Sequence, residues 1–280
     1  MLRAQLYASG SFRDVDFCEP PAATIAQLML AHAPGYVHAV EQGTLTPGQV
    51  RQIGFPWSQL MVERSKRSSG ATISAAKEAL FSDISANLAG GTHHAHYDFG
   101  AGFCVFNDAV IAARTLQQSG AVKRVAIVDC DVHQGDGTAA ICQGDESIFT
   151  FSIHGAKNFP ARKQHSDLDI DCEDGMADEA YLTALSSGLA ATFAAIKPEL
   201  VIYLAGADPF EGDRLGRLKI TKAGLATRDR MVFAACADAN AALAIVMAGG
   251  YANNIQDTVD IHVATLLQAA HWKRSGRQLS

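Results

Sequence analysis

Short apolar runs alternate along the chain with longer stretches whose apolar positions recur at helical spacing. The runs at 84–89, 125–128, 148–153, 200–205 and 243–248 have the length and β-branched content of strands, and most are continuous rather than alternating, as expected of strands buried on both faces. Between and around them, 57–81, 103–116, 178–196, 221–240 and 255–270 predict helices. Toward the N-terminus, 2–8 is a short, weakly amphipathic piece, and 22–42 predicts a helix interrupted at Pro34-Gly35. The stretch 92–102 has no apolar period and reads as a loop, and 156–173 reads as an irregular connection. Strands alternating with helices predict an α/β fold, a three-layer sandwich with a mainly parallel central sheet.

Each predicted strand ends in a polar turn, most of them rich in glycine: GGTHHAH, DCDVHQGDG, SIHGAK, AGADPFEGD and AGGYANN. Ligands of open α/β sheets bind outside the carboxyl ends of the strands, so the five turns should converge on one crevice. The run VAIVDCDVHQGDG stands out among them. In extended chain Asp129, Asp131 and His133 leave one face while Cys130 and Val132 leave the other. Buried carboxylates persist only when paired, hydrogen-bonded or metal-bound, and a divalent cation is the simplest compensation.

Asp131, His133 and Asp208 form a candidate metal set of three protein ligands with one coordination position left for water, the pattern of a catalytic zinc site. The plainer reading makes Asp131 the cap of a helix starting near Thr138 and His133 an ordinary loop histidine. Asp208 at an equivalent strand end favours the metal. His93 and His94 gain interest beside Asp129 and Asp136, because a working imidazole commonly has its second nitrogen held by a carboxylate. His32, His38, His96, His165, His262 and His271 show no such partner in the pattern and read as surface or packing residues. Tyr251 either packs on a neighbouring loop or donates to a developing oxyanion. Phe103 and Phe159 are core residues unless they face each other across the crevice as an apolar slot.

Composition narrows the function. With 280 residues, 48% of them hydrophobic and 19% charged, the chain can bury a full core as one large domain. The net charge of −6 and the lack of a basic stripe argue against nucleic acid; Lys219–Lys222 and Lys273–Arg277 read as solvated surface. HQGDG does not match a dinucleotide fingerprint, and Asp129, Asp131 and Asp136 would repel a pyrophosphate. Six widely spaced cysteines without a CxxC pair read as reduced, which predicts the cytoplasm. No apolar stretch predicts export or membrane insertion.

Taken in order, GGTHHAHYDFGAGFCVFNDA, VDCDVHQGDG, LAGAD and AGGY resemble the zinc-dependent histone deacetylase family, and most of all its class IV-like bacterial members. The resemblance runs from about Glu19 to the last helix and implies the arginase/deacetylase fold. It implies zinc on Asp131, His133 and Asp208, with His94 as general base and acid and His93 as its electrostatic partner. Asp129 would hold His93, Asp136 would hold His94, and Tyr251 would polarise the amide carbonyl. Gly102, Phe103 and Phe159 would line an acyl-lysine tunnel. A structural potassium ion would sit at Asp129, Asp131, His133, Ser152 and Ile153, largely on backbone carbonyls. The implied partner is an acylated lysine in a protein or peptide, or an acylated polyamine.

Two departures from the family pattern accompany the resemblance. Members usually open on a strand and a loop containing an HRFPM-like segment, so residues 1–280 are expected to form a single deacetylase-like domain lacking that strand and first pocket loop. The rim aspartate with which many members grip a substrate backbone has no counterpart near Gly54-Phe55-Pro56. A binuclear manganese ureohydrolase would need further Asp/His ligands, and the turn at Asp208-Pro209 offers a single aspartate rather than a second DxD pair. A non-catalytic binding protein would need neither the paired histidines nor Tyr251.

Overall fold

The computed structural model describes residues 1–275; of the basic segment Lys273–Arg277, the last two residues lie outside the described residues. Six strands form one sheet: β1 (Ile84–Ala86), β2 (Val125–Asp129), β3 (Ile148–Gly155), β4 (Leu168–Cys172), β5 (Leu200–Leu204) and β6 (Ala242–Val246). Their spatial order is β1-β6-β5-β2-β3-β4, and every adjacent pair is parallel. All carboxyl ends therefore emerge at one edge, with Asp129 level with Ser152 on one side and Leu204 on the other.

Alternate residues of each central strand feed two separate cores. Ala126, Val128, Val201, Tyr203, Leu243 and Ile245 pack with α1 (Leu2–Ala8), α8 (Asp178–Ile196), α9 (Lys222–Asp238) and α10 (Ile255–Ser275). Val125, Ile127, Leu200, Ile202, Ala244 and Val246 face the other layer, built from α2 (Ile25–Leu28), α3 (Pro34–Gln42), α4 (Pro47–Ile53), α5 (Gln59–Ser82), α6 (Asp108–Gln118) and α7 (Asp136–Cys142). The three-layer α/β sandwich follows directly, because a strand with two apolar faces needs a helical cover on each.

Several boundaries differ from the pattern for local reasons. Pro34 does not interrupt one helix; it occupies the first turn of α3, where its missing N–H costs nothing. Thr46, just before Pro47, and Gln49, in the first turn, form a capping box that starts α4, a helix too short for its periodicity to stand out. The helix expected from Phe103 begins only at Asp108, capped by Asn107, because Gly102 and Phe103 both take positive φ. The connection at 156–173 ends in a strand, β4, at the sheet edge, where Asp169 and Asp171 alternate with apolar residues and mask the period of a buried strand. The expected strand over 84–89 is regular only as far as Ala86, although backbone hydrogen bonds to the β6 segment continue at Asn87 and Ala89.

Gly70 lies at the middle of α5, where it meets the backbone of the segment before α2. A methyl group there would lie 2.8 Å from Ala23 N and nearer still to the Pro21 carbonyl oxygen. Glycine in a helix ordinarily costs about 1 kcal/mol against alanine. Here the sign reverses: Gly70→Ala is expected to destabilise the protein by roughly 1–2 kcal/mol, the range of moderate overpacking, seen as a lower urea midpoint at unchanged slope.

Candidate metal and acid–base site

The crevice forms where the loops after β1, β2, β5 and β6 meet. Past β2, the chain makes a compact turn in which Asp131 Oδ1 accepts the His133 backbone N–H at 2.9 Å. Across from it, Asp208 follows β5, and its Oδ1 accepts the Val132 N–H at 2.8 Å. From the β6 loop, the Gly249 N–H donates to Asp131 Oδ2 at 2.7 Å. A side chain on Gly249 would run into both carboxylates, so only glycine lets this loop close over them.

Asp131, His133 and Asp208 are buried, with one ligand atom from each within 4.8 Å of the others. His133 Nδ1 donates to Asp131 Oδ1 at 3.0 Å and lies 3.3 Å from Asp208 Oδ2, which has no hydrogen-bond partner. Burial and the neighbouring Asp131 charge push the Asp208 carboxyl up to about 7. Burial also opposes a charge on His133, but its bond to Asp131 and the two carboxylate charges outweigh that and push it to about 10. Two acids and an imidazole thus converge on a point that demands positive charge, and oxygen and nitrogen donors of this kind suit a divalent cation. Among the described residues, no second group of three such donors forms.

The paired histidines stand beside this set, each on its own carboxylate. His93 Nδ1 is 2.6 Å from Asp129 Oδ2, and His94 Nδ1 is 2.6 Å from Asp136 Oδ1. Their rings lie 4.1 Å apart between centroids. Burial works against a charge on His93, yet Asp129 and Asp131 outweigh it and raise the imidazole to about 9. Burial, reinforced by His93, pulls His94 down to about 4 despite Asp136. Adjacent rings of one residue type are thereby split into a cation and a neutral imidazole.

Around them, Phe159 meets the His94 ring edge-on with centroids 4.8 Å apart, and Gly102 lies against the same ring. Phe103 stacks on Phe55 at 6.1 Å, and both Phe103 and Phe159 remain about half exposed, so neither is a core residue. Burial and the Asp131 and Asp208 charges push the Tyr251 phenol well above its usual range, which keeps it a neutral donor. Its backbone is pinned by Asp213, which accepts the Tyr251 N–H at 2.6 Å, and by Arg214, which donates to the Tyr251 carbonyl. Ser152 stands level with Asp129 across β2 and β3, and its hydroxyl contacts His154 Nδ1 at 2.9 Å.

A model of the histone deacetylase domain matches residues 1–266. The chain belongs to the histone deacetylase family. An uncharacterized protein of Picosynechococcus sp. is 47% identical over 262 residues, covering 94% of this chain and 87% of that one. Histone deacetylase 2 of Arabidopsis thaliana is 28% identical over 256 residues, 88% of this chain and 66% of that protein. The acetoin utilization protein AcuC of Bacillus subtilis is 31% identical over 237 residues, 75% of this chain and 60% of AcuC. The chain thus spans less than two thirds of the latter two. Its fold superposes with a TM-score of 0.80 on the HDA15 HD domain at 22% identity, over 99% of this chain and 84% of that one. A histone deacetylase homolog from Aquifex aeolicus gives the same TM-score at 21% identity, over 100% of this chain and 78% of the other.

This deacetylase-family site also rests on residues that pattern reasoning passed over. His96, read as having no partner, places Nε2 3.0 Å from Asp136 Oδ2. His32 is a packing residue as expected, but both its nitrogens are bonded, to His96 O and to the Asn107 N–H. Asp108 accepts the Gly91 and Thr92 N–H groups and so holds the entrance of the His93-His94 loop. Arg228, wholly buried, donates to Cys130 O and Gly206 O, just ahead of Asp131 and Asp208. Nothing in the sequence marks Arg228, since a charged residue in a helix usually faces water. The helix near Thr138 begins at Asp136, so Asp131 does not cap it.

If the triad takes a divalent cation, its binding adds directly to folding stability. At a free concentration of 100 times the dissociation constant, the gain is about 2.7 kcal/mol. Zinc is therefore expected to raise the melting temperature of the chelator-treated protein by several degrees, and to leave that of Asp208→Asn nearly unchanged.

Proposed function

We propose that this protein is a zinc-dependent amidohydrolase that removes acetyl or longer acyl groups from the ε-amine of lysine in proteins. The observation that carries this reading is the facing arrangement of two buried His–Asp pairs and the Asp131, His133 and Asp208 set at one crevice of a deacetylase-family fold. The donor set fits zinc in a catalytic role, with two carboxylates and one imidazole leaving a coordination position open. Asp208 Oδ2, buried and without a hydrogen-bond partner, is the atom most in need of such a ligand. Zinc, when bound, would supply Lewis acidity toward the acyl carbonyl and make water a usable nucleophile at neutral pH.

The chain's own residues supply the proton transfers. His94 is neutral at physiological pH, and with Nδ1 bonded to Asp136 its Nε2 is free to take the proton of the attacking water. His93, charged and held by Asp129, stabilises the negative charge that develops beside it. Tyr251 keeps its proton and donates it in a hydrogen bond to the carbonyl oxygen. As the C–N bond breaks, His94 returns its proton to the departing amine, giving a free amine and a carboxylate. Gly102, Phe103 and Phe159 would flank the acyl-lysine chain.

A structural potassium ion is part of the same proposal, at Asp129, Asp131, His133, Ser152 and Ile153, where the β2–β3 register sets Asp129 level with Ser152. Placement among the class IV-like members and in the cytoplasm also belong to it; all six cysteines are free thiols, and five are buried. Among the described residues no helix is long and apolar enough to cross a membrane. One observation favours a second substrate. The rim at Gly54-Phe55-Pro56 presents the Phe55–Phe103 stack and no carboxylate to grip a peptide backbone, which points to an acylated polyamine or other small acylated amine.

The test is hydrolysis of acetyl-lysine and longer acyl-lysine peptides and of acetylpolyamines by the purified full chain. Activity should vanish with a chelator and return with zinc. Tyr251→Phe should lower kcat by about 10²–10³ with little change in KM, the usual effect of losing one oxyanion donor. Absence of release from every substrate by folded, zinc-loaded protein would overturn the reading.

A further inference from the structure

The two His–Asp pairs are not built alike. Asp129 gives Oδ2 to His93, and its Oδ1 accepts the backbone N–H of Asp131 at 3.1 Å, so the polypeptide itself fixes that carboxylate. Asp136 gives Oδ1 to His94, but its Oδ2 meets the His96 side chain at 3.0 Å. Among the described residues, these two imidazoles are the hydrogen-bond partners of the Asp136 carboxylate. The carboxylate that orients the base is therefore itself oriented by a third histidine.

His96 is equipped for this. It is buried, and its ring stacks on Phe99 with centroids 4.3 Å apart and planes 18° from parallel. Its backbone N–H donates to Phe99 O at 2.9 Å, and its carbonyl accepts from His32 Nδ1 at 2.8 Å. To bond Asp136, His96 must carry a hydrogen on Nε2, because an ionised carboxylate only accepts. Both oxygens of Asp136 are then engaged by side chains two residues apart in one loop, and the carboxylate cannot swing about its Cβ–Cγ bond without breaking one contact. A carboxylate free to swing would let the His94 ring tilt, and general-base catalysis is sensitive to misplacement on the scale of an ångström.

We propose that His96 is a positioning residue for this reaction: it fixes Asp136 so that His94 holds one ring orientation and one tautomer. The inference rests on the reading of His94 as the base. The test compares full-length, zinc-loaded His96→Leu, which removes the donor, with His96→Gln, whose amide nitrogen can occupy the position of Nε2. His96→Leu should lower kcat by about 10-fold, the lower end of what loss of such an outer partner costs, with KM and zinc affinity unchanged. His96→Gln should recover most of the loss.

A second readout is independent of turnover. In protein labelled with ¹⁵N-histidine, the His94 Nδ1–H proton, assigned by its loss in His94→Ala, should be sharp in the wild type and in His96→Gln. In His96→Leu it should be broadened by exchange. Equal activity loss in the leucine and glutamine variants, an unchanged kcat in His96→Leu, or an unchanged proton resonance in that variant would each overturn the proposal. If wild-type protein hydrolyses none of the substrates, the reading of the base fails instead, and the resonance alone decides whether His96 orients Asp136.

Discussion

Two carboxylates buried at the ends of neighbouring strands are the constraint around which this molecule is arranged. Asp131 and Asp208 sit side by side with almost no access to water, and one histidine between them cannot satisfy both. Like charges so placed repel strongly, because the interior screens them poorly. The fold answers with backbone N–H groups of His133, Val132 and Gly249, which fix three of the four carboxylate oxygens and leave one without a partner. The parallel sheet is what delivers those groups, since all its strands end at the same edge.

The same edge explains how two adjacent histidines come to differ. His93 reaches toward Asp129 and Asp131, where negative charge accumulates, and becomes a cation. His94 is nearly as buried but feels the positive charge of His93, and stays neutral. Burial favours the uncharged form of each ring, and the distribution of carboxylates decides which one overcomes it. Two rings of different charge thus follow from placement, without any difference in residue type.

Beneath the crevice, Arg228 extends the arrangement into the helical layer. Its guanidinium spans the Cys130 and Gly206 carbonyls and pairs with Asp229, which in turn accepts from Tyr203 and Thr265. A buried ion pair of this kind adds little net stability, but removing either partner leaves an uncompensated buried charge. Its two carbonyl bonds tie together the segments just past β2 and β5, immediately ahead of Asp131 and Asp208.

The apolar period of the chain determined by itself that strands alternate with helices, since a strand covered on both faces must be apolar throughout and a helix must repeat near 3.6. The sequence also showed which residues could hold a metal, because Asp131 and His133 stand two apart just past one strand and Asp208 follows another, although the structure places the first two in a turn rather than on one face of an extended segment. Local chemistry limited the rest of the reading: α4 is started by a capping box rather than by periodicity, and the aspartates of β4 conceal an edge strand. What only the tertiary structure decided are the contacts between segments far apart in the chain. Asp136 meets His94 and His96 across 42 and 40 residues, and Arg228 meets Cys130 across 98. Sequence spacing carries information over a helical turn or a strand's length. The charge state of each histidine, the partner of His96 and the burial of Arg228 are set by a geometry that exists only once the sheet has brought its strand ends together.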